Sequence, residues 1–269
     1  MMKPIALIGL DEPEYLAIQS KIQRPIVWHP SLPNWKLIEG ELWIESRIHG
    51  GRFICVEAVV YHAIFDDDYD FLCALAIWGG PCLPNAVGLM DCRLRIPCLA
   101  RAIKVSNFGL AARGMLLSKA SLQVSSQTVA KWGNRHCGEN KALFTGDFAA
   151  QELTLFEPYF DGQAVRTVVM GKEIFQILLA GSGWLKSIHH TDSTFIPFNP
   201  ILVEDTKKLA THFNLEMVGV DYIVEPNGMA HLLEVNHIPN VTIFEPIRLA
   251  FIELVIEWIS ELILNKSNS

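Results

Sequence analysis

The sequence predicts an α+β protein whose N-terminal part is α/β. A strand, a helix and a second strand follow one another within the first 30 residues, which indicates a βαβ unit and a parallel sheet. In the second half, strand candidates are joined by tight turns at GKE and PNG, which indicate antiparallel hairpins. We therefore place a boundary near residue 105, between an α/β part and an antiparallel-rich α+β part.

Short apolar runs and a helix cap define the first elements. The predicted strands are PIALIGL (residues 4–10) and PIVWH (25–29). Residues 11–23 between them are predicted to be a helix, because Asp11 can cap it and Glu14 follows three positions later. ELWIES and RFICVEAVVYHAIF are then predicted to be two strands around a Gly-Gly turn.

Two further helices are expected between the first helix and the boundary. DDDYDFLCALAIWGG starts acidic and continues apolar, which is typical of a helix whose first turn complements its dipole. The acidic run could instead form a metal site, although the helix start is favoured. MDCRLRIPCLARAI is predicted to be a helix that is broken, or begins, near Pro97.

The second half alternates strands with two helices. Its strand candidates are TVAKW (128–132), LTLFEPYF (153–160), AVRTVVMG (164–171) and EIFQILLA (173–180). Residues 203–213 are predicted to be a helix that Asn214 ends, and two strands flank the PNG turn within residues 217–236. Residues 249–264 form an amphipathic surface helix, because Glu253, Glu257 and Glu261 share one face.

Composition excludes several classes of protein. The chain has 269 residues, half of them hydrophobic, and a net charge of −7 without a basic block, which disfavours nucleic-acid binding. The six cysteines are scattered and form no paired-ligand pattern, so we expect reduced thiols. Neither a signal peptide nor an apolar run of roughly 18 residues is present, so we expect a cytoplasmic protein without a membrane partner.

Polar side chains interrupt two otherwise apolar strands. Asp221 stands in VGVDYIV, and Glu234 and Asn236 stand in LLEVN, where period-two alternation places them on one face. A hairpin turning at PNG would bring Asp221 and Glu234 near each other. Two carboxylates and an amide oxygen are hard ligands that suit Mg²⁺. Two acids on a solvated sheet face are the alternative.

These strands resemble a known family. GVDYIV…GMAHLLEVNHIPN is similar to the closing motif of ATP-grasp ligases, especially the RimK-like and glutathione-synthetase-like branch. The resemblance implies an ATP-grasp fold, in which two α+β subdomains sandwich ATP. A short pre-ATP-grasp-like domain (1–105) would precede the ATP-grasp domain (106–269), itself divided into a small lid subdomain (106–156) and a larger C-terminal subdomain (157–269). The resemblance also implies that Asp221, Glu234 and Asn236 hold Mg²⁺ on the ATP phosphates.

Further segments extend the resemblance backwards along the chain. FEPYFDGQAVRTVVMGK is similar to the family's hinge and following strand, where an acidic residue begins the linker that binds adenine. The resemblance assigns that role to Glu157, followed by Pro158, Tyr159 and Phe160. Arg166 matches an arginine that faces phosphates or the acyl intermediate.

TVAKWGNRHCGENK resembles the lysine strand and glycine-containing loop that close over the phosphates. Lys131 matches the strand lysine, Gly133 and Gly138 let backbone amides approach phosphate, and Lys141 is a second candidate contact, with an ordinary surface lysine as its alternative. The adjacent His136 and Cys137 could instead be a zinc ligand pair, although no second pair accompanies them.

The chain also departs from the family. No arginine stands at Ala180, where the family often has a basic residue, so Lys186 is assigned that catalytic role beside Arg166. His189 and His190 could reach substrate or lie at the surface, and His189 and His237 are the candidates for a general base. The first basic residue of the lid is not identified, with Lys104 and Lys119 both open.

The resemblance implies an ATP-dependent, ADP-forming carboxylate–amine ligase that uses Mg²⁺ or Mn²⁺ and an acylphosphate intermediate. The expected partners are small-molecule or peptide carboxylates and amines, and a homodimer is compatible with the family. Two alternatives remain open, the first of them because of the short N-terminal region and the missing arginine. One is a catalytically impaired ATP-binding protein that acts in regulation or assembly, and the other is an ATP-dependent kinase on the same fold.

Overall fold

The structure, a computed structural model, describes residues 2–64, 68–109, 111–133, 140–180, 183–184, 193–239 and 244–267. The elements up to residue 102 are β1 (Ile5–Ile8), α1 (Glu12–Gln19), β2 (Ile26–His29), β3 (Trp35–Ile38), β4 (Glu41–Glu45), β5 (Phe53–Val56), β6 (Ala58–Tyr61), α2 (Tyr69–Trp78), β7 (Cys82–Leu83), α3 (Ala86–Arg93) and α4 (Arg95–Ala102). Those that follow are β8 (Gly114–Leu116), β9 (Ser121–Trp132), β10 (Lys141–Ala149), β11 (Thr154–Pro158), β12 (Gln163–Met170), β13 (Glu173–Leu179), β14 (Thr194–Phe195), α5 (Pro200–Phe213), β15 (Met217–Val224), β16 (Ala230–Asn236) and α6 (Glu245–Ser267).

The N-terminal sheet has the order β2-β1-β6-β7 and is parallel, which confirms the predicted βαβ unit. Helix α1 begins with the predicted capping box: Asp11 accepts a hydrogen bond from the Glu14 amide, and Glu14 accepts one from the Asp11 amide. The helix ends at Gln19, earlier than predicted.

A small antiparallel sheet, β3-β4-β5, lies between β2 and β6 in the chain. The prediction of one long strand over RFICVEAVVYHAIF is wrong, since β5 and β6 belong to different sheets. The chain changes sheet at Glu57, whose carboxylate pairs with Arg24 and whose amide donates to the Pro4 carbonyl. An apolar pattern alone does not reveal such a crossing.

The predicted helix around Pro97 is two helices, and the break lies at Leu94. Leu94 is extended, with φ −100° and ψ 129°, and separates α3 from α4. Pro97 stands in the first turn of α4, where a missing N–H removes no helical hydrogen bond. The proline therefore starts a helix rather than breaking one.

The second antiparallel sheet has the order β10-β9-β11-β8, and we call it the lid sheet. The predicted strand at residues 128–132 is the end of the longer β9, while β8 and β10 were not predicted. Gly146, with φ +91°, lies at a register irregularity between β9 and β10 and obscures the alternation of β10.

The C-terminal sheet has the order β14-β13-β12-β15-β16, and its predicted hairpins are confirmed. Asn214 ends α5 in the left-handed conformation, as predicted. On one face of the sheet Val168, Met170 and Met217 pack against buried residues of α6, while α5 contributes to the other hydrophobic cluster. Glu253, Glu257 and Glu261 of α6 are exposed, as expected for an amphipathic helix.

One hydrophobic core joins the N-terminal and C-terminal sheets, since Ala6 and Ile8 belong to the same cluster as Val220 and Leu232. A buried polar contact adds to this connection. The Asp205 carboxylate of α5 accepts hydrogen bonds from the Ser106 hydroxyl (2.7 Å), the Asn107 amide (2.6 Å) and the Tyr222 hydroxyl (2.9 Å). Within the described part of the chain, no helix is long and apolar enough to span a bilayer.

Candidate active site

Charged side chains collect where the lid sheet meets the C-terminal sheet. We call this region the charged cleft, and its members are Arg113, Lys131, Lys141, Glu157, Arg166, Asp221, Glu234 and Asn236. Strand alternation explains why they can project from apolar strands, because neighbouring side chains on a strand point to opposite faces. Arg166 and Asp221 lie directly opposite each other on β12 and β15.

A β-bulge places the two acidic residues of the hairpin on one face. Outside the bulge Val224 pairs with Ala230 and Tyr222 with Leu232, so an uninterrupted ladder would pair Asp221 with Leu233. The register shifts at this point, and Asp221 pairs with Glu234 instead. In an uninterrupted ladder of the same sequence, Glu234 would pair with Val220 and face the opposite side of the sheet.

Asp221 is fully engaged by its neighbours. Arg166 donates from Nε to Oδ1 (2.6 Å) and from Nη2 to Oδ2 (2.9 Å), which is a bidentate ion pair, and Asn236 donates from Nδ2 to Oδ2 (3.3 Å). Although burial opposes the charge of Arg166, the Asp221 carboxylate raises the pKa of the guanidinium above its ordinary value. Asp221 is only 2% exposed, so this pairing compensates a buried charge.

A second ion-pair network lies on the lid sheet. Glu157 pairs through Oε1 with Lys131 Nζ, and its Oε2 accepts from Arg113 Nε (3.2 Å). Arg113 also donates to the Leu232 carbonyl (2.5 Å), which connects the lid sheet to β16. Burial lowers the pKa of Lys131 below its ordinary value, while the Glu157 carboxylate opposes that shift.

Lys141 links the two networks. It lies opposite Lys131 on β10, and its Nζ is 3.8 Å from Glu234 Oε2. Its side chain is only 7% exposed, which disfavours the alternative of an ordinary surface lysine. Four basic and three acidic side chains give the charged cleft a formal net charge of +1.

A narrow apolar cavity adjoins the charges. Pro158, Tyr159, Phe160, Gly162 and Trp184 line it, together with Val129, Ile223 and Leu233. The Phe160 ring stacks on the His231 ring, with centroids 3.7 Å apart and an angle of 8°. The Tyr159 amide donates to the Gln127 carbonyl, which fixes the path of the backbone beside the cavity. A planar, largely apolar group next to phosphates matches this arrangement.

Two arginines of the site were missed from the sequence. Arg113 stands alone in a loop, without a pattern that could reveal its partner Glu157. Arg95, at the first position of α4, donates from Nη1 to the carbonyls of Trp132 (3.4 Å) and Gly133 (3.2 Å), at the end of the lysine strand. Lys104 and Lys119, the two candidates for the first basic residue of the lid, are exposed.

Several predicted site residues lie outside the described residues. They are Gly138, Lys186, His189 and His190, together with the zinc alternative His136 and Cys137. Gly133 is described and has φ +71°, a backbone conformation that favours glycine. His237 is only 4% exposed and thus a buried residue rather than an open one in the cleft.

The oxygen ligands fit a hard divalent cation. Among the described residues, no cluster of three or more His, Cys, Asp and Glu side chains could hold a metal ion. The metal ligands predicted from the sequence are two carboxylates, Asp221 and Glu234, and the side-chain amide of Asn236. Mg²⁺ is commonly held by one or two carboxylates together with substrate phosphates, so this donor set fits Mg²⁺.

Comparison with solved structures decides the fold. D-alanyl-alanine synthetase A from Vibrio cholerae is 11% identical with a TM-score of 0.66, and the alignment covers 98% of this chain and 100% of that one. The macrocyclase MdnC from Microcystis aeruginosa, solved with its precursor peptide MdnA, is 15% identical with a TM-score of 0.61 and coverages of 94% and 99%. The chain has the ATP-grasp fold.

A third solved structure with this fold is a RiPP-associated ATP-grasp ligase from Chryseobacterium gregarium, in complex with ADP and with leader and core peptides. It is 10% identical with a TM-score of 0.60, and the alignment covers 94% of this chain and 96% of that one. No family model and no curated protein matches the sequence. The ATP-grasp fold and the mixed sheet architecture agree with the fold class that the sequence predicts.

Proposed function

We propose that the chain is an ATP- and Mg²⁺-dependent ligase that joins a carboxylate to an amine through an acylphosphate. One observation carries the proposal: Asp221 and Glu234 face each other across a bulged hairpin, with Lys131, Lys141 and Arg166 around them. The solved structures of this fold include a D-alanyl-alanine synthetase and a peptide macrocyclase, which supports a small-molecule or peptide substrate. The domain boundaries expected from the sequence, near residues 105 and 156, belong to this proposal.

ATP would bind in two adjoining regions, the apolar cavity and the charged cleft. The base enters the cavity beside Pro158, Tyr159 and Phe160, where Phe160 and Trp184 provide apolar walls. Lys131, Lys141 and Arg166 bind the phosphates, because fixed positive charge stabilises a polyanion most where water is excluded. Glu157 and Arg113 keep Lys131 in place. Arg95 braces the end of β9 through the carbonyls of Trp132 and Gly133.

Asp221, Glu234 and Asn236 would hold the metal. A bound Mg²⁺ or Mn²⁺ would supply positive charge that offsets the charge developing during phosphoryl transfer. Arg166 then lies next to the reacting phosphoryl group, where it stabilises the acylphosphate. Lys186 and the loop at residues 133–138 are proposed to complete the site and exclude water, which would otherwise hydrolyse that intermediate.

The test is turnover with pools of candidate substrates. We expect the purified chain to form ADP from ATP and Mg²⁺ when the pool contains its acid, and we expect hydroxylamine to trap the acylphosphate as a hydroxamate seen by mass spectrometry. Glu234→Gln should lower the rate by roughly 100-fold, as changes around metal ligands do. Glu257→Gln is a matched control, because Glu257 pairs with Lys172 on the exposed face of α6.

Two outcomes would contradict the proposal. ATP binding without ADP formation for any pool would indicate a binding protein. A phosphorylated product that persists without amide formation or hydroxamate trapping would indicate a kinase.

A further inference from the structure

The Arg166–Asp221 ion pair occupies the carboxylate assigned to the metal. Both oxygens of Asp221 accept hydrogen bonds from the guanidinium, at 2.6 Å and 2.9 Å, and Asn236 donates to one of them as well. Asn236 thus presents its NH₂ group, and not its carbonyl oxygen, to Asp221. A divalent cation bound to the same oxygens would lie within a few ångströms of the guanidinium in a buried site, where like charges repel strongly.

The other acidic ligand shows the same arrangement more loosely. Glu234 lies 3.8 Å from the ammonium group of Lys141, which comes from the lid sheet. Each proposed metal ligand with a negative charge therefore faces a basic residue from another strand. Those same basic residues are the ones that phosphates would need.

We propose that Arg166 is an exchangeable counter-ion: it neutralises Asp221 when the cleft holds no metal, and it moves to the nucleotide phosphates when a divalent cation takes its place. This inference rests on the proposed ATP site. Metal alone must displace the guanidinium, and nucleotide alone must draw it away from its carboxylate. Metal and nucleotide each remove the obstacle to the other, so the chain couples their binding.

The proposed exchange predicts how metal and nucleotide each bind in the absence of the other. Removing the guanidinium should strengthen metal binding in the absence of nucleotide, although the same change removes a phosphate contact. Removing the carboxylate charge should release Arg166 and strengthen the binding of metal-free ATP. A residue with a purely structural role would produce neither gain, because its loss only disturbs the site.

The test measures Mn²⁺ binding to the nucleotide-free chain by electron paramagnetic resonance. Arg166→Gln should bind Mn²⁺ roughly tenfold more tightly than wild type, within the range of coupling between interacting sites. Arg101→Gln is the matched control, because Arg101 of α4 pairs with Asp91 of α3 rather than with a proposed metal ligand, and it should bind Mn²⁺ as wild type does. An Arg166→Gln affinity equal to or below that of wild type overturns the inference.

A second variant decides the matter if Arg166→Gln fails to fold. Asp221→Asn should bind ATP in the presence of EDTA roughly tenfold more tightly than wild type, as measured by calorimetry. Adding Mn²⁺ should strengthen ATP binding to wild type far more than to this variant. Unchanged or weaker metal-free binding by Asp221→Asn overturns the inference.

Binding measurements on wild type distinguish a failure of the proposed exchange from a failure of the proposed ATP site. Binding of ATP together with Mn²⁺ by wild type, with no gain in either variant, overturns the exchange but leaves the proposed ATP site standing. Failure of wild type to bind ATP with Mn²⁺ overturns both.

Discussion

At the level of single residues, period-two alternation predicted that Glu234 and Asn236 share one face, and the predicted hairpin brought Asp221 near them. The partners of these residues could not be predicted in the same way. Arg113 and Arg95 carry no local pattern, and their roles follow from contacts with residues 37 to 119 positions away in the chain. Only tertiary structure determines which carboxylate or carbonyl such a side chain meets.

His62 shows how strongly burial acts on one residue. It follows β6, is 1% exposed, and lies with its ring centroid 4.4 Å from that of Phe251 on α6. Its Nδ1 atom has no hydrogen-bond partner among the described residues. Burial lowers the pKa of His62 from 6.5 to about 3. The folded chain therefore keeps this imidazole neutral where the unfolded chain protonates it.

We predict that His62 makes the chain less stable in acid. Above about pH 6.5 neither state carries the proton, and the residue contributes no pH dependence. As pH falls from about 6.5 to about 3, only the unfolded chain binds it, so the free energy of unfolding decreases by an amount on the order of 5 kcal/mol. The free energy of unfolding, measured with urea between pH 7 and pH 4, should therefore decrease more steeply with falling pH for wild type than for His62→Phe.

The comparison cancels the other titrating groups, which both proteins share. His49→Phe, at an exposed position in the β4–β5 connection, is the matched control and should follow wild type. Parallel pH profiles for wild type and His62→Phe would show that His62 is not held neutral.

At the level of helices and strands, most strands predicted from apolar runs were found, whereas β8 and β10 of the lid sheet were not predicted. β12, β13, β15 and α5 agree with their predictions within a few residues. β10 was missed because Gly146 interrupts its pattern, and the bulge in β16 has no signal in LLEVN. The prediction that Asp221 and Glu234 meet is therefore fulfilled through a register shift that the sequence did not reveal.

We predict that the register of β16 at Glu234 is essential for the metal site. Inserting one alanine between Leu233 and Glu234 would place the alanine opposite Asp221, pair Glu234 with Val220, and turn its carboxylate away from Asp221. The variant should lose Mn²⁺-dependent nucleotide binding, measured by calorimetry. Leu233→Ala keeps the bulge and removes only part of the cavity wall, so it should retain the Mn²⁺ dependence while binding nucleotide more weakly.

Circular dichroism and thermal unfolding would establish that both variants fold. Retention of full Mn²⁺-dependent binding by the insertion variant would show that the register of β16 does not determine the metal site.

In the molecule as a whole, the charged cleft forms where side chains of the lid sheet meet side chains of the C-terminal sheet. The sequence predicted the ATP-grasp fold through motifs in the expected order, and the structure agrees with that fold over nearly the whole chain. It could not predict how the lid sheet closes on the C-terminal sheet. That geometry depends on Arg113 bridging Glu157 and the Leu232 carbonyl, and on Asp205 holding residues 106–107.

The proposed function depends above all on Asp221 and Glu234 forming the metal end of an ATP site. Calorimetric titration of wild type, Glu234→Gln and the control Glu257→Gln with ATP in Mg²⁺ tests this assignment directly. We expect wild type and Glu257→Gln to bind ATP with equal affinity, and Glu234→Gln to bind at least roughly tenfold more weakly. Absence of binding to wild type, or equal affinity in Glu234→Gln, would contradict the assignment.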